Sequence, residues 1–103
     1  MDNIKFANYG QERGLNATDG EIEIFETLKG LTNLNLHMVR KSDSYVTAVY
    51  RGWDLARFKY TQRAKWIAFP TVEVGPPKHR IAKPTDVIEF KELLTKSLEI
   101  IEK

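Results

Sequence analysis

The side chains most able to do chemistry in this chain are flat rings and positive charges that alternate between residues 50 and 66. Seven of them form the candidate binding set: Tyr50, Trp53, Arg57, Lys59, Arg63, Lys65 and Trp66. Proteins bind single-stranded nucleic acids with rings on which bases stack and with cations that contact the backbone. Large rings and arginines are also typical of the dominant residues in protein interfaces. The pattern indicates a binding role. The favoured partner is another protein or a second copy of the chain, and the alternative is a nucleic acid.

Patterns typical of catalysis or metal binding are missing from the sequence. His37 and His79 belong to no spaced pair that would hold a metal, and we interpret both as solvated or structural. After Asp54 the next acidic residue is Glu73, without the lysine two positions later that metal-dependent nucleases use. Glycine-rich phosphate loops and serine-nucleophile motifs do not occur. We therefore expect a non-enzymatic protein without metal or cofactor, and catalysis would need a cleft that joins Asp54 to His37 or Glu73.

Three strand-length runs between residues 45 and 70 position the candidate side chains. They are rich in β-branched and aromatic residues and are separated at Arg51-Gly52 and at 61–64, which predicts an antiparallel meander. With Arg51-Gly52 as a two-residue hairpin loop, regular pairing assigns alternate residues to opposite faces. The predicted core face carries Tyr45, Thr47, Val49, Asp54, Ala56, Phe58 and Tyr60. The predicted binding face carries Val46, Ala48, Tyr50, Trp53, Leu55, Arg57 and Lys59.

A four-residue loop at 61–64 would place Ile67 beside Phe58 and Trp66 beside Lys59. We then expect Trp53 and Trp66 to lie together, partly exposed and next to positive side chains. The alternative is that the N-terminal helix or segment covers both indole rings. A slip of one residue in the pairing would reverse every assignment to a face.

Helices are predicted on both sides of the meander. The capping-box pattern Thr18-x-x-Glu21 predicts a helix over about 19–30 that ends at Gly30. Apolar residues at three- and four-residue steps predict a second helix over about 86–102, with Thr85 as its N-cap. Short strands are expected at 34–39 and 79–82. The fold class is α+β: an antiparallel sheet of four to six strands packed by the two helices.

Length and composition are those of a small globular protein. The 103 residues favour one domain, in which 1–16 is a flexible arm or an edge strand. The chain contains no cysteine, no bilayer-length apolar stretch and no signal-peptide pattern, so we expect a cytoplasmic protein without a membrane partner.

Charge is unevenly distributed along the chain. Residues 1–35 have a net charge of −3, residues 36–83 of +7, and residues 84–103 of −2. The predicted sheet is therefore basic and the predicted helices are acidic. Edge strands also use lysine and arginine to prevent aggregation, so a solvated surface is an alternative interpretation.

The strands of 45–69 are followed by a loop, a short basic strand and the helix phrase Asp86-Val87-Ile88-Glu89-Phe90. This order resembles small bacterial α+β domains of unknown function, found alone or at the ends of "predicted transport" and restriction-associated proteins. It is also similar in outline to MmcQ/YjbR-type domains. The resemblance covers roughly residues 45–101 and implies an α+β fold and a binding role. A chain encoded by a phage or mobile element that inhibits a host factor is a further alternative.

Overall fold

The computed structural model describes residues 4–7, 15–42, 45–73, 75 and 77–102. At the N-terminal end, strand β1 (Ile4–Ala7) pairs antiparallel with β2 (Leu15–Thr18). The segment 1–16, predicted to be a flexible arm or an edge strand, therefore contains a strand at 4–7. It also contains the first two residues of β2, and residues 1–3 and 8–14 lie outside the described residues.

Helix α1 (Asp19–Thr32) begins directly after β2. The predicted capping box is confirmed: the Glu21 amide donates to Thr18 Oγ1 at 3.1 Å, and the Thr18 amide donates to the Glu21 carboxylate at 3.0 Å. The predicted end at Gly30 is wrong. The helix continues to Thr32, and Asn33 ends it at a φ of 55°, a left-handed conformation that asparagine adopts more easily than most residues.

Five consecutive strands form one antiparallel meander: β3 (His37–Ser42), β4 (Tyr45–Tyr50), β5 (Trp53–Tyr60), β6 (Lys65–Ala68) and β7 (His79–Arg80). The predicted antiparallel sheet of four to six strands is confirmed. Strand β3 begins later than the predicted run at 34–39.

The hairpin between β4 and β5 starts as predicted. Arg51 and Gly52 have φ values of 53° and 81°, the positive values that a type I′ turn requires at both central positions, and Tyr50 pairs with Trp53. One residue further on, Val49 pairs with Asp54.

A β-bulge then changes the register of β5. Ala48 pairs with Ala56 instead of Leu55, so Leu55 is the extra residue. Leu55 and Ala56 are neighbours in sequence and both are fully buried.

The bulge corrects the predicted faces. Val46 pairs with Phe58 and Thr47 pairs with Arg57, so the predicted pairing of Val46 with Arg57 is wrong. The core face of β4 carries Val46 and Ala48, and Tyr45, Thr47 and Val49 lie on the other face. Pairing between β5 and β6 agrees with the prediction, since Ile67 lies opposite Phe58 and Trp66 opposite Lys59.

The C-terminal helical segment begins as a 3₁₀ helix (Pro84–Phe90) and continues as α2 (Lys91–Ile101). The prediction of an N-cap at Thr85 is wrong, because Pro84 already belongs to the helical segment. Asp86 satisfies the free amides at this end: its carboxylate accepts hydrogen bonds from the amides of Ala82 at 2.9 Å and Lys83 at 3.1 Å. These two bonds lower the pKa of Asp86.

Both helices contribute to a hydrophobic core on one face of the sheet. Side chains at the centre of this core are Ile24, Phe25, Leu28, Val46, Ala48, Phe58, Ile67, Phe69, Val87 and Leu94. We call this side of the sheet the helix-covered face and the opposite side the basic face. Neither helix has the length and apolar content that a bilayer-spanning segment requires, within the part of the chain that the structure describes.

Candidate binding groove on the basic face

A groove of about 480 Å³ crosses strands β5 and β6 on the basic face. We call it the sheet-face groove; its lining residues are Tyr45, Arg57, Lys59, Ala64, Trp66, Ala68 and Lys78. Tyr45 comes from the start of β4, whereas Lys78 immediately precedes β7. Three cations therefore surround a floor made of two aromatic rings and two alanines.

The bulge at Leu55 places Arg57 in this groove with a partner. In a regular strand, residues three apart point to opposite faces. The extra residue brings Asp54 and Arg57 to the same face, where the carboxylate accepts a hydrogen bond from the guanidinium at 3.3 Å. This ion pair orients Arg57 and offsets part of its charge.

The aromatic rings of the groove already contact cations. The Lys78 ammonium lies 5.0 Å from the Trp66 ring centroid, and the Arg57 guanidinium lies 5.3 Å from that of Tyr45. The rings of Tyr45 and Trp66 meet edge to face, with centroids 6.1 Å apart. Trp66 is only 8% exposed. Its covering includes the side chain of Lys78, while the helices pack on the other side of the sheet.

A second groove, of about 510 Å³, adjoins the first at the edge of the sheet. We call it the edge groove; its lining residues are Gln62, Arg63, Ala64, Lys65, Trp66, Lys78, Arg80 and Ile81. Ala64, Trp66 and Lys78 line both grooves. The two are therefore continuous, and we call them together the basic groove.

Positive charge dominates the described lining of the basic groove. It contains six basic side chains, Arg57, Lys59, Arg63, Lys65, Lys78 and Arg80, and no aspartate or glutamate. Such a concentration of one sign raises the local potential and attracts anions.

Five of the seven predicted binding residues line the basic groove: Arg57, Lys59, Arg63, Lys65 and Trp66. Tyr50 does not, because the bulge separates its face from theirs. It is 8% exposed, and its hydroxyl donates to the Glu102 carboxylate at 3.0 Å. Burial and this hydrogen bond raise the pKa of Tyr50.

Trp53 is also separate from the groove. It is 49% exposed at the β4–β5 turn, whereas Trp66 pairs with Lys59 near the other end of β5. Trp53 and Lys59 are six residues apart along the strand, which corresponds to about 20 Å. The prediction that the two indole rings lie together is wrong.

Three groove residues were missed by sequence reasoning. Tyr45 was assigned to the core face because the bulge was not foreseen. Lys78 and Arg80 belong to the basic segment 36–83 but follow the meander, so no strand pairing placed them beside Trp66. The run Lys78-His79-Arg80 was the one feature of the sequence that could have indicated these two cations.

The two histidines occupy different environments. The Nε2 of His79 lies 2.9 Å from the Glu73 carboxylate, and its ring packs at 5.0 Å from that of Phe90. His37 Nδ1 is buried without a hydrogen-bond partner in the described structure. Across the described residues, no three histidine, aspartate or glutamate side chains group as a metal site would require.

No family model matches the chain, and no curated protein or solved structure matches it significantly. The functional interpretation of the groove therefore depends on its geometry alone. The resemblance drawn from the sequence stays a prediction.

Proposed function

We propose that this protein is a non-catalytic binding domain that holds an anionic partner in the basic groove. The observation that carries the proposal is the described lining, with six lysine and arginine side chains and no carboxylate. Charge of one sign in a depression of the surface attracts a partner of opposite charge and speeds its association.

The shape of the site supports a partner that extends across the sheet. The sheet-face groove and the edge groove share three residues and run over strands β5, β6 and β7. A compact anion would occupy only one of the two. An anionic chain or surface would contact the cations of both.

Heparin, a polyanion, is a suitable probe for this proposal. We expect the protein to be retained on immobilised heparin and to elute with salt, because exposed ion pairs are screened. The double variant Lys59→Glu/Arg80→Glu should elute at clearly lower salt. The matched control Lys91→Glu/Lys96→Glu makes the same change in net charge on α2, outside the groove, and should elute much closer to the unmodified protein. Equal losses in both variants, or no retention at all, would contradict the proposal.

Self-association is a second candidate function, favoured by Trp53. This indole is half exposed at the β4–β5 turn, about 13 Å along β5 from Arg57, the nearest groove residue on that strand. Exposed aromatic residues are enriched in protein interfaces. Light scattering over a range of concentrations tests it: we expect association that persists in high salt and is lost in Trp53→Ser. A monomer at every concentration would eliminate this candidate.

A further inference from the structure

The basic groove alternates positive charge with flat apolar surface. Lys59, Trp66 and Arg80 are directly paired across β5, β6 and β7, so their side chains lie in one row on the same face. Adjacent strands are about 4.8 Å apart, which places the Cα atoms of Lys59 and Arg80 about 9.6 Å apart with the indole between them.

From this arrangement, and resting on the proposed function, we infer that the anionic partner is a single-stranded nucleic acid. Each nucleotide supplies one phosphate and one flat base. Phosphates would contact the cations on either side of the row, and bases would lie on the floor that Tyr45, Trp66 and the two alanines provide.

The dimensions of the grooves agree with a chain of nucleotides. Their volumes of about 480 and 510 Å³ are each within the range of sites for small molecules, roughly 300–1,000 Å³. Since the two grooves meet at Ala64, Trp66 and Lys78, neighbouring nucleotides could occupy them in succession.

Two other anionic partners fit the site less well. An acidic peptide would pair with the cations but has no flat groups to cover Tyr45 and Trp66. A nucleic-acid duplex keeps its bases stacked inside the helix, so it would contact the cations and leave the aromatic floor uncovered.

The cation–ring contacts indicate how the strand binds. Lys78 and Arg57 already lie over the rings of Trp66 and Tyr45, so a base can stack fully only after a cation moves aside. Phosphate contacts should therefore provide most of the affinity. Such binding depends steeply on salt and little on base sequence.

Fluorescence anisotropy with labelled oligo-dT and oligo-dA tests the inference, using about 12 nucleotides, a length within the roughly 4–16 that comparable sites cover. With about four phosphates neutralised, affinity should fall about 50-fold from about 50 to 200 mM salt. Lys59→Ala and Arg80→Ala should each weaken binding about 3- to 10-fold and reduce the salt slope by about 0.7. Lys96→Ala, an exposed position on α2, should leave both unchanged.

Trp66 provides an independent readout of where the strand lies. In a Trp53→Phe background it is the sole tryptophan. Its emission should change when an oligonucleotide displaces Lys78 from the ring, and Lys78→Ala should alter the emission before any ligand is added. Binding that raises anisotropy without any change in Trp66 emission would place the strand elsewhere and overturn the inference.

Competition separates this inference from the proposed function. Displacement of heparin by oligonucleotides at clearly lower concentrations than poly-glutamate or a duplex requires at equal charge would support it. Displacement by poly-glutamate alone would overturn the nucleic-acid inference and leave the proposed function standing. A duplex that binds more tightly than the single strand would also overturn the nucleic-acid inference. Failure of every probe, heparin included, would remove both.

Discussion

Ile67 and Trp66 are neighbours on β6, yet they are buried by different means on the two faces of the sheet. Ile67 is fully buried on the helix-covered face, within an apolar core to which α1 and α2 contribute. Trp66 is 8% exposed on the basic face, partly beneath the side chain of Lys78. Helices leave a core only when the protein unfolds, whereas a lysine side chain on the surface changes rotamer rapidly.

This comparison shows that low exposure has two meanings in one small sheet. On the helix-covered face it marks close packing, where removal of a few methylene groups is costly. At Trp66 on the basic face it marks a ring under a long cationic side chain, whose stem covers apolar surface while its charge faces solvent. A ligand could uncover the second kind of surface without unfolding the first.

The bulge at Leu55 determines which residues of β5 lie on each face. Lysine substitutions at the bulge should have the largest effect on stability. Leu55 and Ala56 are consecutive and both fully buried. Leu55→Lys and Ala56→Lys should each cost at least about 4 kcal/mol or prevent folding, because an unpaired charge would enter the core. In a regular strand the two side chains would lie on opposite faces, and the one on the basic face would accept lysine more easily. Circular dichroism with urea denaturation distinguishes these outcomes, and a well-folded variant of either kind would contradict the bulge.

The bulge also marks the limit of what the sequence could predict. The turn at Arg51-Gly52 and the pairing of β5 with β6 followed from local residue types. The bulge did not, because Leu55-Ala56 fits either register until the packing on both faces is known. The same error assigned Tyr45 to the core and Tyr50 to the binding set.

The candidate site was predicted only where it depends on one hairpin. Lys59 and Trp66 are cross-strand partners, so their contact followed from the β5–β6 loop. Lys78 contacts Trp66 although the two are 12 residues apart in the chain, with three prolines between them, and no periodicity in the sequence predicts that contact. Trp53 was misplaced for a different reason, since the length of β5 was not weighed against the distance between the rings.

Substitution of two adjacent residues on β5 should show the difference between the helix-covered face and the basic face, with a smaller effect on stability. Phe58→Ala should cost about 3–5 kcal/mol, because it leaves a cavity in the fully buried core. Lys59→Ala, one position further and on the basic face, should change stability by no more than about 0.5 kcal/mol. The free energies of unfolding from urea denaturation provide the test. Similar losses at both positions would mean that the basic face is packed as tightly as the core.

Two glycines of α1 test how closely this helix packs against the sheet. A Cβ at Gly20 would collide with the Tyr60 ring of β5, whereas one at Gly30 would meet no atom within 4 Å. Gly20→Ala should therefore destabilise the protein by about 1–3 kcal/mol. Gly30→Ala is the matched control and should stabilise it by up to about 1 kcal/mol, since alanine favours the helix. Thermal unfolding of both variants measures the difference; a neutral Gly20→Ala would show that the Tyr60 ring or α1 can shift to make room.

The smallest expected effect concerns the start of the C-terminal helical segment on the same face, and it depends on pH. Hydrogen bonds from the amides of Ala82 and Lys83 lower the pKa of Asp86 in the folded protein, so protonation favours the unfolded state. The stabilisation by Asp86 is complete above the pKa of the unfolded chain, about 4, and is lost as the pH falls through the lower folded value. Asp86→Asn should therefore lower the melting temperature slightly at neutral pH, with the difference disappearing in acid. Glu99→Gln, which removes an exposed carboxylate of α2, is the control. A deficit of Asp86→Asn that stays constant from neutral to acidic pH would mean that the charge of this carboxylate does not contribute to holding the segment in place.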